Sequence, residues 1–154
     1  MNADLPKPVR LSLAHLTVID ADPLQLIDAA QAGGFATIGL RIVPPLPTDN
    51  IVPVVGRKTL IRDIMDRLDA TGVRVHDIEA VWLMPPTNVQ SLRAALETGA
   101  QLGAKHVLAV GNDPDPARLA DNFVALCDSA NAVGLGVALE PISYVTLKTL
   151  QIGR

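Results

Sequence analysis

Three charged side chains stand near the ends of predicted strands, where a parallel sheet gathers reactive groups. Arg41 lies at the end of the aliphatic run 36–42, Glu79 near the end of the run 73–81, and Glu140 directly after the run 135–139. A carboxylate at such a position is partly withdrawn from water, so it is ion-paired, metal-bound or titrates abnormally. The pattern indicates either an active site or a structural ion pair at this edge.

Each of these residues has two readings. Glu140 is followed by Pro141, which ends a strand because proline has no N–H for the ladder, and it serves either an active site or a pairing with Arg41. Glu79 is either functional or part of an ion pair. Arg41 either clamps an anionic group of a substrate with its guanidinium fork or neutralises Glu79 or Glu140. His15, near the end of the first predicted strand, is expected to reach the same edge.

Other chemistry-bearing residues are better explained by structure. His76 and His106 fall early in their predicted strands, away from this edge, and Asp113 is expected to cap a helix rather than bind substrate. The single cysteine, Cys127, lies in an apolar periodic stretch and is expected to be a small buried hydrophobe. No G-x-G-x-x-G follows any predicted strand, which argues against a dinucleotide site.

A recurring strand-plus-helix unit must position these groups. Four amphipathic stretches end at Gly34, Gly72, Gly103 and Gly134, and each is followed by an aliphatic run. The five predicted strands are 9–16, 36–42, 73–81, 106–111 and 135–139. The first helix opens at Asp22-Pro23, the second covers 58–70, Thr87 or Asn88 caps the third, and Asp113-Pro114 or Asp115-Pro116 starts the fourth. The proline-rich stretch 44–56 is predicted to be a loop.

Alternation of strands and helices predicts a parallel sheet, either doubly wound or part of a (β/α) barrel. Polar residues recur on one face of the predicted strands. That face contains Thr37, Gly39 and Arg41; then Val75, Asp77 and Glu79, opposed by Ile78 and Ala80; then Ala138 and Glu140. Such residues are costly under helices but suit a barrel mouth. We therefore predict an α/β fold of parallel (β/α) TIM-barrel type, incomplete with about five of eight strands, as one partial domain over residues 1–154 with a flexible segment at 1–8.

Composition excludes several classes of protein. Hydrophobic residues make up 49% and charged residues 19% of the 154 residues, as in a globular domain. The net charge of −3 and the absence of a basic patch argue against nucleic-acid binding. No uncharged apolar stretch approaches the roughly 20 residues that span a bilayer. The sequence predicts a soluble cytoplasmic protein with no membrane partner.

Four segments together resemble the sugar phosphate isomerase/epimerase family, the xylose-isomerase-like branch of the TIM barrels. They are LSLAHLTV at 11–18, GFATIGLR at 34–41, VHDIE at 75–79 and VALEPI at 137–142. The resemblance extends from about residue 9 to 150. It implies a small sugar-like substrate and proton transfer beside a carbonyl.

The resemblance also implies a divalent metal (manganese, magnesium, cobalt or zinc) held by a Glu, an Asp, a His and a second Glu. Glu140 matches the first ligand, which in the epimerases is also one of the two acid/base residues. Arg41, Glu79 and His15 are then expected to bind substrate.

The sequence ends at Arg154, about a turn or two into a predicted fifth helix and before positions that match the other ligands. We therefore expect the 154 residues alone to be inactive and to bind no metal, and we expect activity to need a C-terminal half or a second copy of the chain. The alternatives are a noncatalytic partial barrel that binds a ligand or self-assembles, or an inosose-type dehydratase.

Overall fold

The computed structural model describes residues 11–46 and 48–147. Within these ranges five β-strands alternate with four α-helices and two short 3-10 helices. The strands are β1 (Ser12–Ala14), β2 (Thr37–Leu40), β3 (Arg74–Leu83), β4 (His106–Gly111) and β5 (Gly136–Glu140). The helices are α1 (Pro23–Ala32), α2 (Lys58–Thr71), α3 (Arg93–Gln101) and α4 (Pro116–Asn131), with 3-10 turns at His15–Val18 and Val89–Leu92.

The strands form one parallel sheet in the order β1-β2-β3-β4-β5. This order contains no point at which the chain reverses direction across the sheet, as a doubly wound fold requires. Right-handed crossovers that all advance in one direction place their helices on the same face. The other face is then the inner wall of a partial barrel, so the predicted TIM-barrel type with five strands is confirmed.

Local sequence explains where the helices begin and end. Asp22 caps α1 by accepting the backbone N–H groups of Leu24 and Gln25 at 2.8 and 2.9 Å, and the Gln25 side chain accepts the N–H of Asp22 in return. Asp115 caps α4, which settles the open choice between the two Asp-Pro pairs. The four junction glycines all have positive φ, between 73° and 84°. At Gly72 this left-handed conformation closes α2, and a side chain there would be strained.

The main core lies between the outer face of the sheet and the helices. Its fully buried members come from every layer: Leu26, Ile27, Ile38, Leu40, Ile64, Ile78, Leu83, Leu96, Val107 and Leu126. Burying one such side chain stabilises the fold by about 1.5–3 kcal/mol. Cys127 on α4 is half-buried, and burial raises the pKa of its thiol, so the thiolate is disfavoured.

Three details of the sheet differ from prediction. The described part of the first strand ends at Ala14, because the chain turns into a 3-10 helix at His15; residues 9 and 10 lie outside the described ranges. Val75 was placed on the polar face, but it pairs with Ile38 and packs in the main core, because the register shifts between Ile38 and Gly39. Ala80 was placed opposite Glu79, but it packs with Val110 on the inner face, where the β3–β4 register also shifts.

The loops follow the predicted pattern in part. The described residues of the proline-rich stretch contain neither helix nor strand, as predicted, and Val54 within it is fully buried. After β5, residues 141–147 form turns, and the Leu147 N–H donates to the carbonyl of Gly111 at 3.0 Å. The predicted fifth helix, a turn or two before Arg154, and the segment 1–8 lie outside the described residues. No described helix has both the length and the apolar character needed to cross a membrane.

Candidate functional site

Two carboxylates of β3 crowd against a glycine of β2 on the inner face. A Cβ atom built on Gly39 would lie 2.8 Å from Oδ1 of Asp77 and 3.3 Å from Cδ of Glu79. Separations of this size leave no room for a side chain on β2, so the bare backbone of Gly39 is what lets both acids face the interior. The structure thus brings Asp77 and Glu79 together beside the second strand.

Glu79 is buried, with 8% of its surface exposed, and its Oε1 accepts the backbone N–H of His15 at 2.5 Å. The sequence placed it near the end of its strand, but β3 continues to Leu83, so Glu79 is in the middle of the strand. Glu79 nevertheless lies level with the carboxyl end of β2, because Leu40, the last residue of β2, pairs with Ile78, the residue before Glu79. Glu79 therefore connects β3 to the end of β1.

Asp77 was not singled out as a site residue by the sequence, although it shares a predicted face with Glu79. Its pKa is raised from 3.8 to about 6, chiefly because burial disfavours the charged form, and next because Glu79 is nearby. Two weaker electrostatic interactions also act on this pKa: His76 lowers it and Glu140 raises it. The signal that could have found Asp77 is its spacing of two residues from Glu79 on a strand, opposite a glycine.

Glu140 ends β5 and is exposed, whereas the sequence analysis expected a carboxylate partly withdrawn from water; β5 has a neighbouring strand on one side only among the described residues. Its strand neighbour in the register is Val110 of β4. Its charge acts on Asp77, which places both carboxylates within electrostatic reach across the inner face. Among the described residues, neither Glu140 nor Glu79 forms an ion pair with Arg41.

His15 is buried, and its side chain connects the loop after β1 to the residue that follows β2. Its Nε2 lies 2.9 Å from the carbonyl oxygen of Ala21, and its Nδ1 accepts the backbone N–H of Arg41 at 3.1 Å. These two contacts fit the neutral ring with its proton on Nε2. Since both nitrogens are engaged with backbone, His15 positions the residues around it in this conformation, and its predicted contact with substrate remains a prediction.

Arg41 follows β2 directly and is half-buried. It lines a cavity of about 340 Å³ together with His15, the loop after β1 and residues 50–53. Its Nε is buried and has no hydrogen-bond partner among the described residues. A second cavity, of about 400 Å³ and mostly apolar, lies between the segments after β2 and β3, where it is lined by Trp82 and Met84.

Asp113, which follows β4, does not join the site. It is fully buried and binds Arg118 through two hydrogen bonds, at 2.6 Å to Nε and 2.7 Å to Nη2. The Arg118 guanidinium holds the pKa of this carboxyl below its usual value. Asp113 therefore braces the start of α4 rather than capping it or facing a ligand.

The described residues do not complete a metal site by themselves. Across residues 11–46 and 48–147, no group of three or more His, Cys, Asp or Glu side chains is arranged to hold a metal ion. Glu140 could offer one oxygen ligand, but divalent metals in proteins need several.

The fold is shared by solved structures of low sequence identity. The chain superimposes on a xylose isomerase domain containing protein from Salmonella typhimurium with a TM-score of 0.69 and 14% identity, covering 93% of this chain and 55% of that one. For 3-keto-D-glucoside 4-epimerase from E. coli the TM-score is 0.71 at 14% identity, with coverages of 94% and 62%. For the IolI protein, solved with a bound zinc atom, it is 0.71 at 18% identity, with coverages of 94% and 56%.

These likenesses confirm the fold that the sequence resemblance implied. The chain spans little more than half the length of each of the three structures. No protein-family profile matches the chain, and no curated protein matches it by sequence.

Proposed function

We propose that this chain supplies the first five strands of a (β/α) barrel that isomerises or epimerises a sugar or sugar phosphate. Glu140 is the carboxylate that transfers a proton beside the substrate carbonyl. The observation that carries the proposal is the position of Glu140, exposed at the end of β5 on the face that also holds Asp77 and Glu79. Sugar epimerisation is the activity named for one of the structural neighbours, which supports the same class of reaction here.

A carboxyl with a raised pKa on the inner face supports this proposal. A general acid or base works best when its pKa is close to the operating pH. The pKa of Asp77, about 6, allows this carboxyl to exist in both protonation states near neutral pH. Asp77 is thus able to hold a proton within electrostatic reach of Glu140, while Glu79 is tied to the His15 backbone.

Metal dependence is part of the proposal, with Glu140 as one ligand of a manganese, magnesium, cobalt or zinc ion. The described residues do not supply the others, so these ligands would come from a C-terminal half or from a second copy of the chain. The zinc in the IolI structure supports the expectation for barrels of this kind.

The test measures proton exchange rather than a particular product. The protein, expressed at its native length with each of the four metals, is incubated in D2O with a panel of ketoses and ketose phosphates. Deuterium should enter the carbon beside the carbonyl, as seen by NMR. Glu140→Gln should slow exchange by about 100-fold or more, the usual size of a general acid–base contribution.

Glu97→Gln is the matched control, because Glu97 is exposed on α3 and, among the described residues, pairs with Arg93 of the same helix and no other cation. This variant should exchange at the wild-type rate. No exchange with any substrate of the panel would refute the proposed reaction. Equal rates in wild type and Glu140→Gln would refute the role of Glu140.

A second candidate function is a noncatalytic partial barrel that self-assembles. It is favoured by the two open edges of the described sheet, since β1 and β5 each have one neighbouring strand there. Trp82 and Leu108 on the inner face are also only half-buried. Sedimentation should then show a defined oligomer, and a monomer at all concentrations would exclude this reading.

The dehydratase alternative uses the same carboxylate. A dehydratase would remove water from a cyclic polyol ketone and form an enone. The ultraviolet absorbance of this enone distinguishes dehydration from epimerisation.

A further inference from the structure

Two histidines meet at the end of the sheet opposite Glu140. His76 lies near the start of β3, and His106 is the first residue of β4. The centres of their rings are 5.2 Å apart, and the ring planes are tilted by 49° rather than stacked in parallel. The proposed proton transfer uses neither residue, so the pair is available for a separate role.

The pair lies on the inner face of the sheet, beside a glycine. Leu108 and Val110 of β4 belong to the cluster on the inner face, and His106 precedes them at the spacing of two residues that keeps side chains on one face. His106 pairs in the register with Gly136 of β5, and a Cβ atom built on Gly136 would lie 3.0 Å from Cδ2 of the imidazole. The missing side chain at Gly136 therefore makes room for the His106 ring.

Each of the two rings has a nitrogen that an ion from solvent can reach. His76 is exposed. His106 is half-buried, and its Nδ1 is enclosed and without a hydrogen-bond partner among the described residues. Its Nε2 is not enclosed in this way and lies on the side of Gly136, 3.6 Å from a Cβ atom built there. Nε2 is therefore the nitrogen of His106 that can bind an ion.

The spacing of the rings suits one metal ion held between them. Zinc binds imidazole nitrogen at about 2.0–2.1 Å in a tetrahedral arrangement, which places the centres of two rings on one ion roughly 5 Å apart. The observed separation is 5.2 Å. Imidazole suits zinc and nickel, whereas magnesium and manganese prefer oxygen ligands. The pair therefore selects a transition metal, with water in the remaining coordination positions.

The charges around the pair act in both directions. Asp77 pairs with His106 across β3 and β4, and its negative charge favours a cation there. Arg74 and Lys105 oppose a cation, but both are exposed, so water and salt screen their charges. Nδ1 of His106 also lacks the acceptor that usually supports a metal-bound imidazole. We therefore expect a reversible site of moderate affinity.

We infer that His76 and His106 together bind a zinc or nickel ion at the N-terminal end of the sheet. This site is separate from the metal proposed at Glu140: Gly136, the register partner of His106, and Glu140 stand at opposite ends of β5, roughly 13 Å apart at about 3.3 Å per residue. It also departs from the sequence-based expectation that the chain alone binds no metal. The bound ion joins β3 to β4 and stabilises the folded chain, because it binds the folded state and not the unfolded one.

The test is calorimetric titration of the protein, prepared without a histidine tag, with the chlorides of zinc, nickel, magnesium and manganese. Zinc and nickel should bind at the histidine pair, and magnesium and manganese should not. His76→Gln and His106→Gln should each weaken zinc binding by about tenfold or more, because each removes one of the two protein ligands. The titrations are repeated in Glu140→Gln, which lacks the ligand proposed for the other metal, and the histidine pair should bind zinc equally well there.

Two controls separate this site from general effects of metal or substitution. Arg74→Gln changes an exposed neighbour on β3 but retains both ligands, so it should bind zinc at least as tightly as wild type. The chain has three histidines, and both ring nitrogens of the third, His15, contact backbone groups. In wild type, the imidazole NMR signals of His76 and His106 should therefore shift with zinc, and those of His15 should not. Circular dichroism checks that each variant is folded.

Equal zinc affinity of wild type and both glutamine variants would overturn the inference, as would magnesium binding as tight as that of zinc. Absence of saturable zinc binding, with no shift of the His76 and His106 signals, would overturn it as well. Because the titration involves neither substrate nor turnover, zinc binding at the pair without deuterium exchange would leave this inference standing while the proposed reaction fails.

Discussion

Asp77 offers the most direct test of the electrostatics of the inner face. Asp77→Asn replaces the carboxyl by a neutral group of the same shape, which mimics its protonated form. The pKa of Asp77 is about 6 in the folded protein and 3.8 in a model carboxyl. The folded state thus binds this proton more tightly than the unfolded state does. The stabilisation is fully present below pH 3.8 and is lost as pH rises through about 6.

The magnitude follows from the size of the shift. One pKa unit corresponds to about 1.4 kcal/mol, so a shift of about two units sets an upper limit of about 3 kcal/mol. Asp77 is half-buried, and water screens part of this interaction. We therefore expect Asp77→Asn to be more stable than wild type by about 1–2 kcal/mol above pH 7, and equally stable at about pH 3, below both pKa values.

The assay is urea denaturation of both proteins across this pH range, read as the difference between their free energies of unfolding. The difference cancels the titration of carboxylates that do not interact with Asp77. Asp69→Asn, at an exposed position on α2, is the control and should show no pH-dependent difference. If Asp77→Asn were no more stable than wild type at neutral pH, burial and the Glu79 charge would not be acting on Asp77 as the structure indicates.

Two further predictions concern packing and local structure. Gly39→Ala should destabilise the fold by about 1–3 kcal/mol, because the added methyl meets Asp77 and Glu79. Urea denaturation should show a smaller loss of stability when the same substitution is made in the Asp77→Ala variant. Equal losses of stability in wild type and in Asp77→Ala would exclude the Asp77 carboxylate as the cause. Asp22→Ala should cost about 1 kcal/mol by removing the N-terminal cap of α1. The measurement is the midpoint of thermal unfolding of Asp22→Ala, compared with wild type and with Asp22→Asn, which retains a capping oxygen. An unchanged midpoint in Asp22→Ala would contradict the role of the cap.

Local signals in the sequence were sufficient for the repeating unit. Aspartate before proline, as at Asp22-Pro23, marks a helix start, and a glycine such as Gly72 marks its end, because cap and turn chemistry depends on a few neighbouring residues. The strand-end positions of Arg41 and Glu140 followed from the same pattern. The functional roles assigned to them remain predictions.

The register between neighbouring strands was harder to predict from the sequence. Val75 and Ala80 were assigned to the wrong faces because strict alternation assumes an unbroken register, and the register of β3 shifts against both of its neighbours. The choice of Asp115 over Asp113 as the cap of α4 depended on Arg118, which binds Asp113 from the first turn of the helix. Neither outcome can be read from periodicity alone.

The sequence by itself determined the order of strands and helices, their parallel arrangement and the barrel-type face of polar residues, because these depend on hydrophobic period and on local turn chemistry. The tertiary structure decided which of those polar residues meet. Asp77 and Glu79 lie beside Gly39, and His15 joins Ala21 to Arg41, through contacts between residues far apart in the chain. Such contacts depend on the register and spacing of neighbouring strands, which only the packed sheet defines.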